Sequence, residues 1–403
     1  MRFRKIGSYL IIFLCLLICS AKMVNAEDLT QRIEKLEQQV KALQDQQTTL
    51  TDEFLRRTFI GAYANFSYVD AQGEINHFDG NRLHLVLNSR LHDRIRAYVD
   101  INFQRAAGIA ADNWQNQTIS VNNRSGIVSV YESYADLMFA KWLNLRAGIF
   151  LVPITEYNRN PYMVHRDFAN DPMQDVYEYS DVGAEFLGSV DMTDDISFNY
   201  EVGAVQGLRS RPEGFFPTFD ADNNKAKSVF GRAYVVFYDQ YIFNMAGYYG
   251  DYTTDDRSSY AVLGYFKATP NTKILDHFEL LAEFGYLHWQ NRGTVFLNTE
   301  FDNVYAINTF LVYKFWPSFL DKTFLGKNFD DPEFTLGFRY FRLRSKFQSV
   351  LMNTIDLNNY ALAFGYRPID NFVMHLQYSI GDGNSGVNVF DKNAFMVNVA
   401  YAF

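Results

Sequence analysis

Phe395-Met396-Val397-Asn398-Val399-Ala400-Tyr401-Ala402-Phe403, the last nine residues, carry the reading that decides the fold class. Phe395, Val397, Val399, Tyr401 and Phe403 fall on one face of an extended chain; Met396, Asn398, Ala400 and Ala402 fall on the other. Successive side chains of a strand point to opposite sides, so one face meets an apolar medium and the other something small or wet. Taken alone, the segment also fits the end of an ordinary sandwich. The discrimination lies in the rest of the chain.

The same period of two recurs along residues 57–403. In 94–104, Ile95, Ala97, Val99, Ile101 and Phe103 alternate with Arg94, Arg96, Tyr98, Asp100, Asn102 and Gln104. A charged face opposite an apolar one cannot be a core on both sides; one side sees lipid and the other water. Strands are expected near 58–69, 82–91, 94–104, 128–139, 143–152, 177–190, 195–206, 228–238, 241–250, 258–268, 277–290, 303–315, 332–344, 355–366, 371–380 and 393–403. About sixteen is an even number, as bacterial membrane barrels require. The gaps test the count independently. If both termini are periplasmic, every second gap is a short turn, and His92-Asp93, Ala140–Trp142, Asp191–Asp194 and Asp239-Gln240 fall there. Arg105–Ile127, Pro153–Val176 and Gly207–Lys227 fall on the opposite side and are long. Trp316–Asp331 is long on the short-turn side, so it is either a periplasmic helix or two concealed strands, which would make eighteen.

The N-terminus has the layout of a secretory signal. Arg2, Arg4 and Lys5 precede an apolar stretch from Leu10 to Cys19, and Val24-Asn25-Ala26 offers a small-residue cleavage site. Residues 1–26 are therefore expected to be removed. Cys15 and Cys19, the chain's two cysteines, leave with them. An exported chain without disulfides needs another form of closure, and a barrel supplies one. No segment approaches the run of about 20 apolar residues that a spanning helix needs. The 37 Phe and 27 Tyr of 403 residues suit alternating strands with aromatic girdles. Of 37 basic residues, four lie in 1–26 and no acid does, leaving 33 basic against 46 acidic. That balance excludes a nucleic-acid binder.

From Leu29 the spacing changes. Leu29, Ile33, Leu36, Val40, Leu43, Gln47, Leu50 and Phe54 step by alternating four and three residues, a heptad seam over 27–55. So short a coil is marginal alone. A barrel interface that brings the chains together would raise the local concentration and sustain it. The alternative is a single amphipathic helix lying on, or plugging, its own barrel. The domain organisation is thus signal 1–26, periplasmic coiled-coil helix 27–55, and an all-β membrane domain, a roughly 16-stranded antiparallel transmembrane β-barrel, over 56–403.

Asn81-Arg-Leu-His-Leu-Val-Leu-Asn-Ser-Arg90, Arg96-Ala-Tyr-Val-Asp-Ile-Asn-Phe103, and Tyr131-Glu-Ser-Tyr-Ala-Asp136 continuing into Leu145-Arg-Ala-Gly-Ile-Phe-Leu-Val-Pro153 resemble outer-membrane porins. The resemblance is narrower still to the phosphate-selective porin O and P group and to the DcaP-like, coiled-coil-bearing trimeric porins. The closing strand with its terminal Phe403 fits the same Gram-negative group. The resemblance implies a homotrimer in the outer membrane, each barrel a channel narrowed by its third extracellular loop folding inward. That loop, Pro153–Val176, carries Arg159, His165 and Arg166 beside Glu156, Asp167, Asp171 and Asp175. Opposed charges across a constriction orient polar solutes, and rings of one sign select ions of the other.

Alternation places Arg94, Arg96, Arg146, Arg232, Arg339 and Arg342 on the inner wall. Arginine stays charged and grips carboxylate or phosphate bidentately, so a one-sided track would lead anions through. Asp100, Glu132, Asp136, Glu185, Glu201, Glu279 and Glu283 share that wall by the same parity, and the charges then simply brace the barrel. The resemblance implies a lysine cluster in this loop for a phosphate-specific member, and the loop lacks one, so small organic anions such as dicarboxylates are expected rather than phosphate. The seven histidines show no metal-ligand spacing, no catalytic constellation stands out, and no cofactor is expected. The reading is a passive porin for small hydrophilic solutes. A structural or adhesive barrel with a closed lumen is the alternative, and a transporter for hydrophobic substrates would need an apolar plug that 27–55 is too polar to be.

Overall fold

The computed structural model describes residues 34–41, 56–104, 127–156, 162–173, 180–211, 214–217, 226–251, 258–273, 275–289, 301–347, 355–383 and 392–403. It divides into two compact units, Met1–Thr58 and Phe59–Phe403. In the first, residues 34–41 form a helix whose side chains are all exposed, Leu36 and Val40 of the heptad seam among them. The remainder of 27–55 lies outside the described residues.

The second unit is a closed barrel of sixteen antiparallel strands. In chain order these are β1 (Thr58–Ala71), β2 (His77–His92), β3 (Ile95–Gln104), β4 (Ile127–Ala140), β5 (Leu143–Leu151), β6 (Ser180–Thr193) and β7 (Ile196–Val205). A two-stranded hairpin, β8 (Leu208–Arg211) and β9 (Gly214–Pro217), then lies outside the barrel sheet. The barrel continues with β10 (Ser228–Phe237), β11 (Tyr241–Asp251), β12 (Ser258–Ala268), β13 (Phe278–Trp289) and β14 (Phe301–Phe315). It ends with β15 (Glu333–Phe347), β16 (Ile355–Ile369), β17 (Phe372–Gly383) and β18 (Ala394–Ala402). Each strand pairs with its neighbour in sequence, and β18 closes on β1 in the register Tyr63↔Ala402 through Ala71↔Ala394. Closure leaves no ladder edge, which is the condition for putting strands in lipid.

Every strand expected from alternation is present. β2 begins five residues before its expected start, and β6 is shifted toward the C-terminus because Asp191 and Thr193 still pair with Ser197 and Ile196 before the turn at Asp194-Asp195. The closing segment behaves as its pattern demands: Met396, Asn398 and Ala400 are buried while Phe395 and Phe403 are exposed. Residues 316–332 contain neither a long helix nor extra strands. They hold one 3-10 turn, Ser318–Leu320, and a chain of tight turns, because Pro317 and Gly326 interrupt any longer repeat. Sixteen is the count.

The outer surface is apolar by position rather than by run. Phe66, Val202, Phe243, Phe284, Ile307, Phe338, Leu362 and Leu376 are exposed on eight different strands, each flanked in sequence by inward residues. Gly148 on β5 illustrates how tight the wall is. Its φ is +137°, and an added Cβ would lie 2.2 Å from the Ser133 carbonyl oxygen. Neither condition admits a side chain without strain.

Candidate functional site

The segment between β5 and β6 enters the barrel. Its described parts, 152–156 and 162–173, bury Val152, Ile154, Val164, Phe168, Ala169 and Met173. Each apolar side chain has a docking place on the wall. Ile154 and Met173 join Phe230, Tyr248, Leu263 and Phe341 in one cluster; Val164 packs with Tyr63, Val373 and Ala400; Phe168 packs with Val312, Ala361 and Ala363. These contacts explain why β10–β12 present Phe230, Tyr248 and Leu263 inward, against the polar-in rule.

Polar clamps hold the loop where it lies. Arg339 of β15 donates from Nη2 to the Asn170 side-chain oxygen at 2.9 Å, donates from Nη1 to the Asn170 carbonyl, and stands over the Phe168 ring at 5.0 Å. Arg367 of β16 donates to the carbonyls of Val164 and Arg166, the latter at 3.2 Å, and lies 3.7 Å from Asp167. Gln377 of β17 accepts the Ala169 N–H and donates to Asn170 Oδ1, both at 2.9 Å. On the β2–β3 side, Tyr162 donates to Asp100 at 2.8 Å, and Asp100 bonds His84 Nδ1 at 2.8 Å. Charge-assisted bonds of this kind, out of bulk water, are the strong ones. A cavity of about 30 Å³ lies between loop and wall, lined by residues including Glu156, Asp171, Lys267, Asn308 and Arg339.

The loop's own charges are largely spoken for. Arg166 lies 3.5 Å from Asp171, and Glu156 lies 3.8 Å from Lys267, which also reaches Glu279 at 3.1 Å. Lys314 completes that group at 3.0 Å from Glu279. Burial raises the pKa of Asp167 against the opposing pull of Lys314 and Arg367. Partial burial, then the guanidiniums of Arg367 and Arg166, hold His165 below the ordinary imidazole value, so near neutral pH it is uncharged. Arg159 lies outside the described residues.

Along the inner face of β3–β10 runs a ladder of alternating sign. Arg96 and Arg146 share Asp136, Arg96 at 3.0 Å from Nε and Arg146 at 2.8 Å from Nε. Arg146 also reaches Glu185 at 3.1 Å, and Arg232 reaches Glu201 at 3.4 Å and Asn244 at 2.8 Å. Tyrosine rings pave it: Tyr98 stacks on Tyr134 at 5.0 Å, and the Arg146 guanidinium covers Tyr134 at 4.0 Å.

Two of the expected wall arginines are elsewhere. Arg94 precedes β3 and is exposed in the turn after β2, since the ladder begins only at Ile95. Arg342 faces outward, three residues from the inward Arg339 and therefore of opposite parity, where it pairs with Asp356 at 3.2 Å. Arg96 and Arg146 face the lumen, whereas Arg232 and Arg339 point inward but are buried, Arg339 beneath the loop. Sequence reasoning missed Arg367, Gln377 and Lys267 as loop contacts. Arg367 lay one residue beyond the expected end of its strand, and Lys267 sits on an inner face that reads as apolar.

A closed sixteen-stranded barrel with an apolar outer belt, a charged lumen and an infolded third loop on the long-loop side is the architecture of the outer-membrane porins. Solved structures share it: Salmonella typhi OmpF in complex with daunomycin has a TM-score of 0.56 at 11% identity, covering 86% of this chain and 97% of that one. The outer-membrane channel DcaP of Acinetobacter baumannii gives 0.52 at 12% identity, covering 86% and 96%, and the trimer form of Vibrio cholerae OmpT gives 0.51 at 12%, covering 86% and 99%. At these identities the likeness is one of fold. No protein-family profile matches the sequence, and no curated protein is similar to it.

Proposed function

We propose that this chain is a passive outer-membrane porin for small hydrophilic solutes. The observation that carries the reading is the lumen: a loop folded inside the barrel beside a wall of charged and tyrosine side chains, among which Arg96 keeps 37% of its side chain exposed. Such a surface exchanges hydration for side-chain contacts without a binding step or an energy input. The preference for small organic anions, dicarboxylates rather than phosphate, that the arginines suggest is not what this wall favours. Arg96, Arg146 and Arg232 each meet a carboxylate, so the ladder carries little net field. Weak charge selectivity follows.

The functional unit is a homotrimer in this proposal, and β2–β6 are the face that fits a second copy. Ser89, Ala97, Ala135, Ala147, Ala184 and Ala204 stand opposite one another in register across six strands, β2–β6 and the adjoining β7, on the outward side. Among the described residues no tyrosine of β2–β6 points outward, whereas Tyr249, Tyr260, Tyr305, Tyr360 and Tyr378 do so elsewhere on the belt. Small residues let two walls approach closely, and interfacial tyrosines belong where lipid headgroups are.

The test is single-channel recording of the refolded protein in a planar bilayer under a salt gradient. Conductance in groups of three steps, with a reversal potential close to zero, is the expected outcome. A strong anion-favouring potential would restore the arginine track. A correctly folded barrel that passes no current would instead be a structural or adhesive one.

A further inference from the structure

We propose that residues 316–331, the long turn between β14 and β15, are a membrane-interface anchor whose Phe319 and Phe324 enter the phospholipid leaflet on the short-turn side. Both rings project from the turn, 77% and 83% exposed, with none of the described residues covering them. The turn is fastened to the lipid-facing side of the wall rather than to the lumen. Tyr366, which pairs with the outward Met374, donates its hydroxyl to the Leu325 carbonyl at 2.6 Å. The Trp316 ring stacks on Phe334 at 5.2 Å, and Phe334 stacks in turn on the outward Phe364 at 5.3 Å. The turn therefore extends the aromatic belt of β14–β16 without a break.

Its backbone suits an interface. Leu320, Thr323, Lys327 and Phe329 donate their amides to carbonyls within the turn, and the Trp316 indole N–H goes to Asp321 at 2.7 Å. A segment that satisfies its own polar groups can approach hydrocarbon without the penalty that an open loop would meet. Lys322, Lys327 and Asp330 stay exposed, so the turn has an apolar side and a wet one, the division that holds a segment at the headgroup boundary. In the barrel order the turn sits opposite β4, the middle of the small-residue face, so a second copy of this chain would not cover it. That last exclusion rests on the trimer reading; the lipid contact does not.

The test exploits the chain's cysteine usage. With Cys15→Ser and Cys19→Ser as background, Phe319→Cys, Phe324→Cys and Asp330→Cys each place a single thiol for a polarity-sensitive fluorophore. Each protein is refolded into vesicles of phosphatidylethanolamine and phosphatidylglycerol, with heat-shifted gel mobility as the check on folding. Labels at 319 and 324 should emit blue-shifted light and lose most of it to a lipid-borne nitroxide, while aqueous iodide quenches only the label at 330. Iodide quenching at 319 and 324 equal to that at 330 would overturn the proposal. So would shielding of both labels from either quencher, which would mean that protein rather than lipid covers them.

Discussion

Arg339 is an inward arginine that no solute meets. Its guanidinium is spent on two oxygens of Asn170 and the Phe168 ring, and the residue is fully buried. Parity shows which way a side chain points, but not whether a loop lies on top of it. Arg339→Ala should leave the Asn170 carbonyl without its donor and cost about 1–3 kcal/mol, the range for a lost bond to a charged group. The expected readout is a lower urea midpoint together with noisier open-channel current, since the loop loses a tether. Arg339→Lys should recover only part of both, because an ammonium cannot serve two oxygens in the planar fork of arginine. An unchanged current trace in Arg339→Ala would show that Arg367 and Gln377 suffice.

At the scale of elements, β5 is the strand to probe. Its inward Arg146 belongs to the ladder, and its outward Ala147 lies in the middle of the small-residue row. Ala147→Trp should shift the protein from trimer toward monomer, with an overpacking cost of about 1–3 kcal/mol at each contact. Leu376→Trp on β17, where a large outward residue already stands, should leave the trimer intact. Native gel mobility and cross-linking read both. Dissociation by both variants equally would move the interface off β2–β6. The row was legible in the sequence only as scattered alanines; the registers of five strand pairs align them.

At the scale of the whole molecule, the chain joins a barrel closed by β1 and β18 to an N-terminal segment with a heptad seam. Leu36 and Val40 are exposed on their helix, which leaves an apolar stripe for other copies to cover. Deleting residues 27–55 should leave the barrel's heat-resistant fold and unit conductance unchanged. The trimer should then dissociate at higher protein concentrations than the full chain tolerates, because the coil no longer raises the effective concentration. Dilution followed by native gel electrophoresis measures this, and equal dissociation of both forms would leave the helix without an assembly role.

Alternation of Ile95, Ala97 and Val99 with Arg96, Tyr98 and Asp100, repeated from Thr58 onward, was enough to specify an even, closed set of strands. Side-chain parity is a local property, and lipid on one side and water on the other impose it strand by strand. The gap lengths added which ends carry the long connections. What the chain could not state locally is who meets whom inside. Arg96 and Arg146 find one Asp136, Arg367 finds Asp167, and Phe168 reaches β14–β16 only after a loop some 200 residues earlier in the chain than β17 folds back through the lumen. The loop's partners are distant in sequence and set by closure of the ring, so the sequence determined the wall, and the tertiary structure decided what lies against it.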